Sequence, residues 1–188
     1  VGERTAQLSL NVLSKDLDEG LALFFDVLRN PEFREAAVKL ARSQMVEELR
    51  QANDAPRAIL DREFEHLLYG EHPLTVQPTK ASCEALTPAD LKDFHARYFT
   101  PGNIILAASG DFSKAELKSK IEKAAAGWKN SKVVFPTISR KFPAVEPGVY
   151  FVQKATNQGY ISIGHLGIED ANPDYYAVQV MNFILGGG

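Results

Sequence analysis

Proline punctuation sets the limits on what this chain can fold into. Ten prolines are spread over 188 residues. Pro31, Pro56, Pro88 and Pro173 each stand where an apolar-periodic run begins. A proline fixes its own φ and pushes the residue before it out of the α region, so these runs are separate helices of ordinary length. No apolar run approaches the roughly 20 residues of a membrane span. A hydrophobic fraction of 45% and a charged fraction of 24% are globular values that exclude a disordered or fibrous chain. The net charge of −3 gives no basic footprint for nucleic acid. The single cysteine, Cys83, excludes an internal disulfide framework and a Cys-rich zinc site.

Along the chain, residues 4–13 alternate apolar and polar at Ala6, Leu8, Leu10 and Val12, the period of a half-buried strand. Asp16 and Asp18 then introduce Leu17, Leu21, Phe24, Phe25 and Leu28 at helical spacing, and Asn30-Pro31 ends that helix. A second helix is expected over 31–52, with Phe33, Ala37, Leu40, Ala41, Met45, Leu49 and Ala52 as its apolar face. Asp54 is placed to cap a third helix that closes at Tyr69-Gly70. Residues 71–86 read as a loop. Thr87-Pro88 with Asp90 starts another helix, and Ser113 caps one that runs to Trp128. Residues 103–108, 148–153 and 159–165 have strand-like patterns. Asn172-Pro173-Asp174 opens a last helix through Leu185. These elements predict an α+β fold, a mixed sheet with packed helices. The domain organisation expected is a first unit over 1–128, a Pro- and Lys-bearing linker over 129–147 and the start of a second unit over 148–188.

Chemistry is sparse. His66, His72, His95 and His165 show no i, i+4 pair able to hold zinc from one helix, and helix, turn and strand packing roles are preferred for them. No nucleophile elbow, phosphate loop or dinucleotide fingerprint is present. Glu47 and Glu48 are adjacent on a helix and therefore about 100° apart, so their carboxylates cannot face the same way. Small neighbours such as Ala41 and Ala52 set Glu48 beside the apolar stripe. By composition alone it still reads as a solvated helical glutamate.

The runs FFDVLRNPEF, EELRQANDAP, LLYGEHPL and LTPADLKDFHARYFTPGNIILAASGDF, followed by GHLGIEDANPDYYAVQVMNFILGGG, together resemble the pitrilysin/insulinase family of zinc metallopeptidases. Relatives of this kind include mitochondrial processing peptidases and two-chain bacterial enzymes. The resemblance covers nearly the whole chain in the right order. It implies the latter half of a first peptidase-like domain, a linker and the start of a second similar domain.

The resemblance also implies hydrolysis of extended peptides by zinc-activated water, at a site begun by a His-x-x-Glu-His motif. That motif is absent from these 188 residues. The third ligand of such sites is a Glu eight positions before a proline, which here is Glu48 before Pro56. Another acidic residue usually stands two turns earlier; this chain has Ala41. No catalytic residue of its own is therefore expected. Zinc belongs to the parent protein if that is catalytic, and none is expected in this segment. Gly186, Gly187 and Gly188 resemble a glycine-rich turn that contacts a peptide's N-terminal end, and a plain helix stop is the preferred reading of them. The implied partners are a peptide substrate and a homologous partner subunit, with no nucleic acid and no membrane span. A noncatalytic chain completing a chamber with an active subunit is the alternative, and a structural subunit of an electron-transfer assembly is a third. The chain starts at Val1 without Met, carries no signal-peptide layout and reads as a piece of a longer protein. A bacterial periplasm or cytoplasm is the expected compartment.

Overall fold

A computed structural model describes residues 5–138, 142 and 144–186. Its helices are α1 (Leu17–Arg29), α2 (Glu35–Gln51), α3 (Pro56–Tyr69), α4 (Lys80–Ala85), α5 (Pro88–Tyr98), α6 (Lys114–Ala124) and α7 (Tyr175–Leu185). Two compact units form. One comprises Val1–Ala52 and Gln77–Ile138, the other Asn53–Val76 and Ser139–Gly188.

The expected mixed sheet is absent. Among the described residues there is no strand, so the α+β assignment is corrected to helices joined by extended connections. Alternating apolar residues say which face a strand would bury, but the ladder that makes it a strand needs a partner from elsewhere in the chain. Among the described residues the expected strand segments make no backbone hydrogen bond to one another. Several of their apolar side chains are open to solvent, Ile105 and Val149 being 98% and 99% exposed, while Leu10 and Val12 lie against Gly20 of α1.

In the first unit, α1 carries Asp18 and Glu19 in its first turn and Arg29 in its last, each sign matched to the helix dipole. Its buried side presents Leu21 and Phe25, which close on Leu117 of α6; Leu17, Phe24, Ile121 and Trp128 pack around them. Arg29 fastens the far end. Its guanidinium donates to the carbonyls of Ala124 (3.0 Å) and Ala126 (3.4 Å), where α6 leaves acceptors unpaired, and lies 5.8 Å from the centre of the Trp128 ring. Lys120 of α6 reaches Asp18 at 2.6 Å. The hydrogen bond to Asp18 holds the Lys120 ammonium above its ordinary pKa. This tie is therefore fully present below the usual lysine range and is lost as pH rises through the raised value.

The second helix departs from expectation at both its start and its buried face. It begins at Glu35 instead of Pro31, because Phe33 takes a left-handed backbone (φ 48°) that no helix accommodates. That turn sets the Phe33 ring 6.1 Å from His95 of α5. The buried residue of α2 is Val38, whereas the expected Leu40 is 60% exposed. Helix α4, in a region read as loop, packs along α2. Thr79 and Ser82 bracket α4 with a reciprocal cap, and its Cys83 is buried. Arg42 of α2 donates to the carbonyls of Glu84 (3.3 Å) and Leu86 (3.0 Å), satisfying the end of α4.

Helix α5 begins as expected, with a capping box in which Thr87 Oγ1 accepts from the Asp90 N–H and Asp90 Oδ2 accepts from the Thr87 N–H at 2.8 Å. The Thr87 hydroxyl, which also donates to Asp90 at 2.6 Å, is the main group holding the Asp90 carboxyl below the usual aspartate range. The cap thus acts above that range and fails only as pH falls through the depressed value.

In the second unit, α3 starts with Pro56 at its first position and Ala55, not Asp54, as N-cap. It stops at Gly70, whose φ of 60° suits glycine. A short 3-10 turn over Pro73–Thr75 follows. Gly164 approaches Phe64 of α3 so closely that a Cβ there would lie 3.0 Å from the ring. Helix α7 ends on Gly186, at φ 117°.

Candidate functional site

Glu48 lies in the fourth turn of α2, exposed, and its side chain forms no hydrogen bond or ion pair among the described residues. Its neighbour Glu47 is engaged instead: one oxygen accepts from Arg50 at 3.3 Å and the other from Gln51 at 3.1 Å. The 100° step between adjacent helix positions therefore separates a committed carboxylate from an uncommitted one.

The four histidines lie apart from it in role. His72 is buried, its Nδ1 accepts the Leu74 N–H at 3.2 Å, and its ring sits 5.0 Å from Phe142 and 6.4 Å from Tyr69. That is the turn role expected from His72-Pro73. His95 meets the Leu28 carbonyl through Nε2 at 2.9 Å and stacks on Phe99. His66 and His165 are exposed. Among the described residues no group of three or more His, Cys, Asp or Glu is placed to hold a metal ion. The donors present do not make a zinc site; Glu48 offers one carboxylate.

Gly186 takes the left-handed backbone of a helix stop and its N–H bonds back to Phe183 at 3.2 Å. Gly187 and Gly188 lie outside the described residues. Among those residues no helix is long and apolar enough to cross a membrane.

One feature on α2 was not anticipated. Lys39, Arg42, Ser43, Val46 and Arg50 line an open groove of about 390 Å³ whose other wall is Glu84 of α4. The i, i+3, i+4, i+7, i+11 spacing was in the sequence, but without α4 there was no opposite wall.

The sequence model of the family described as Peptidase M16 inactive domain matches residues 85–188, just over half the chain. This chain belongs to peptidase family M16. The resemblance to pitrilysin and insulinase relatives therefore holds. An uncharacterised zinc protease of Streptomyces coelicolor is 25% identical over 185 residues, covering 94% of this chain and 40% of the relative. Cytochrome b-c1 complex subunit 1 of Bos taurus mitochondria is 24% identical over 183 residues, with 94% and 38% covered. The crystal structure of a peptidase M16 inactive domain from Pseudomonas fluorescens superposes with a TM-score of 0.69 at 26% identity, covering 93% of this chain and 42% of that one. The chain spans about two-fifths of the length of the curated relatives it matches.

Proposed function

We propose that this chain forms part of the wall of an M16 peptidase's peptide chamber and that peptide hydrolysis is carried out at a zinc centre outside it. The observation that carries this reading is the likeness to a peptidase M16 inactive domain, whose solved structure superposes over 93% of the chain. Ala41, where an acidic residue stands in the active pattern, supports it. The role is then to enclose an extended peptide together with an active homologous subunit. Within this proposal residues 1–128 belong to a first domain, 129–147 connect, and 148 onward opens a second. Limited proteolysis should cut first within the connection, and a first cut inside residues 31–52 would overturn that division.

A second reading has one observation in its favour. Glu48's carboxylate is uncommitted while Glu47's is held by Arg50 and Gln51. In that reading the full-length protein is itself a zinc metalloendopeptidase, and Glu48 is the third ligand beside two histidines from outside these residues. Bound zinc would supply a polarised water as nucleophile.

Zinc content and peptide cleavage of the full-length protein, with and without a homologous subunit, separate the two. Under the first reading Glu48→Gln leaves both unchanged and shifts stability by no more than about 0.5 kcal/mol, the range of ordinary surface substitutions. Loss of both in Glu48→Gln, with Glu47→Gln spared, establishes the second reading in place of the first. Equal loss in both variants sinks the ligand assignment, because helix geometry lets only one of them face a metal.

A further inference from the structure

We infer that the groove between α2 and α4 is a docking site for an acidic, extended peptide segment whose carboxylates reach Arg42 and Arg50. The charge of the lining is the first argument. Three cations, Lys39, Arg42 and Arg50, line it with one carboxylate, Glu84; Glu35 and Glu47 pair with Arg42 and Arg50 from outside the lining, and Lys39 is left over. Glu84 is itself turned toward Lys80 at 3.8 Å. Lys39 has no ion pair among the described residues, and the Arg50–Glu47 pair is exposed on both sides, so an incoming carboxylate can replace Glu47 at little cost.

The second argument is rigidity. Arg42 is fixed by the carbonyls of Glu84 and Leu86 and by Glu35 at 2.9 Å. A guanidinium has five N–H donors, and these contacts use three of them, leaving two for a ligand. Holding the side chain in place beforehand removes part of the ordering entropy that binding otherwise costs. Val46 gives the groove an apolar floor between the charged ends.

The third argument is length. Arg42 and Arg50 are eight helical residues apart, about 12 Å along the axis. In an extended peptide, side chains four residues apart on the same face are separated by about 13 Å. Two acidic residues at i and i+4 therefore match the two arginines, with Lys39 beyond Arg42 extending the track. A single phosphate or carboxylate meets only one end. Glu48 is nine positions from Lys39, two and a half helical turns, and so sits on the opposite face of α2.

The test measures fluorescence anisotropy of labelled Gly/Ser peptides with the full-length protein. One peptide carries Glu at i and i+4, a second carries Gln at both positions, and a third places the two Glu side by side. The i, i+4 peptide should bind about tenfold more tightly than either control. Its advantage should shrink at physiological salt, where the screening length is about 8 Å. The Lys39→Glu/Arg50→Glu double variant should bind it no better than the Gln peptide. Arg42 is left intact because it holds α4. If the charge-reversed protein misfolds by circular dichroism, the Lys39→Gln/Arg50→Gln pair gives the same comparison. Equal affinity for the Glu and Gln peptides, equal affinity of wild type and double variant, or full displacement by equimolar inorganic phosphate would each overturn the proposal.

Discussion

Phe25→Ala should destabilise the first unit by about 3–5 kcal/mol, the cost of truncating a large aromatic side chain in a packed core. Phe25 is 6% exposed and is held between α1 and α6. Its ring meets Trp128 edge-on at 6.4 Å and Phe24 at 5.7 Å. With only Leu21 and Leu117 buried beside it in this cluster, few neighbours can relax into the space left. Urea unfolding followed by Trp128 fluorescence should show a lower midpoint with an unchanged slope. Leu23, on the same helix but 60% exposed, is the control, and its alanine variant should stay within about 0.5 kcal/mol. Equal costs for the two variants would mean that the α1–α6 contact is not the core of this unit.

Gly102→Val is the second large effect expected, about 1–3 kcal/mol. A Cβ at Gly102 would stand 2.6 Å from Asn130 Oδ1. The amide can swing aside, since Asn130 is exposed, so the loss lies in what it leaves behind. Asn130 Oδ1 accepts the Gly102 N–H at 2.8 Å and the hydroxyl of Thr100, which is only 2% exposed, at 3.1 Å. Two neutral hydrogen bonds at about 0.5–1.5 kcal/mol each give the estimate. Thr100 keeps an alternative acceptor in the Ser131 carbonyl at 3.2 Å, which limits the upper end. If this account is right, Gly102→Ala and Asn130→Gly should couple by at least about 0.5 kcal/mol in a double-mutant cycle. Strict additivity would place the strain of Gly102 elsewhere.

The parts of the fold legible in the sequence are those fixed by local chemistry. Thr87-Pro88 with Asp90 specified α5 because a capping box closes within four residues, and Gly70 specified the end of α3 because the left-handed stop favours glycine. The strands failed for the opposite reason. The alternation of Leu8, Leu10 and Val12 is a statement about one segment, while a sheet is a relation between several. The helix α4 was hidden by its six-residue length, too short for a helical period to show against His72-Pro73 and Pro78. The buried side of α2 was also misassigned, since the apolar count favoured Leu40 and Met45 over Val38. At the candidate site, the separation of Glu48 from Glu47 follows from the helical period alone. That Glu47 is occupied by Arg50 and Gln51 required their side-chain positions, which spacing permits but does not fix.

The burial of Cys83 makes this molecule its own reporter. It is the only thiol in the 188 residues and is 3% exposed, on the helix that Arg42 latches against α2. A thiol reagent reaches it only when a local opening uncovers it, so the rate of modification counts those openings. The latch and the groove wall both belong to α4, which packs along α2. Thiol reactivity at one atom on α4 thus follows the integrity of that helix's packing in real time, without a probe having to be engineered into the chain.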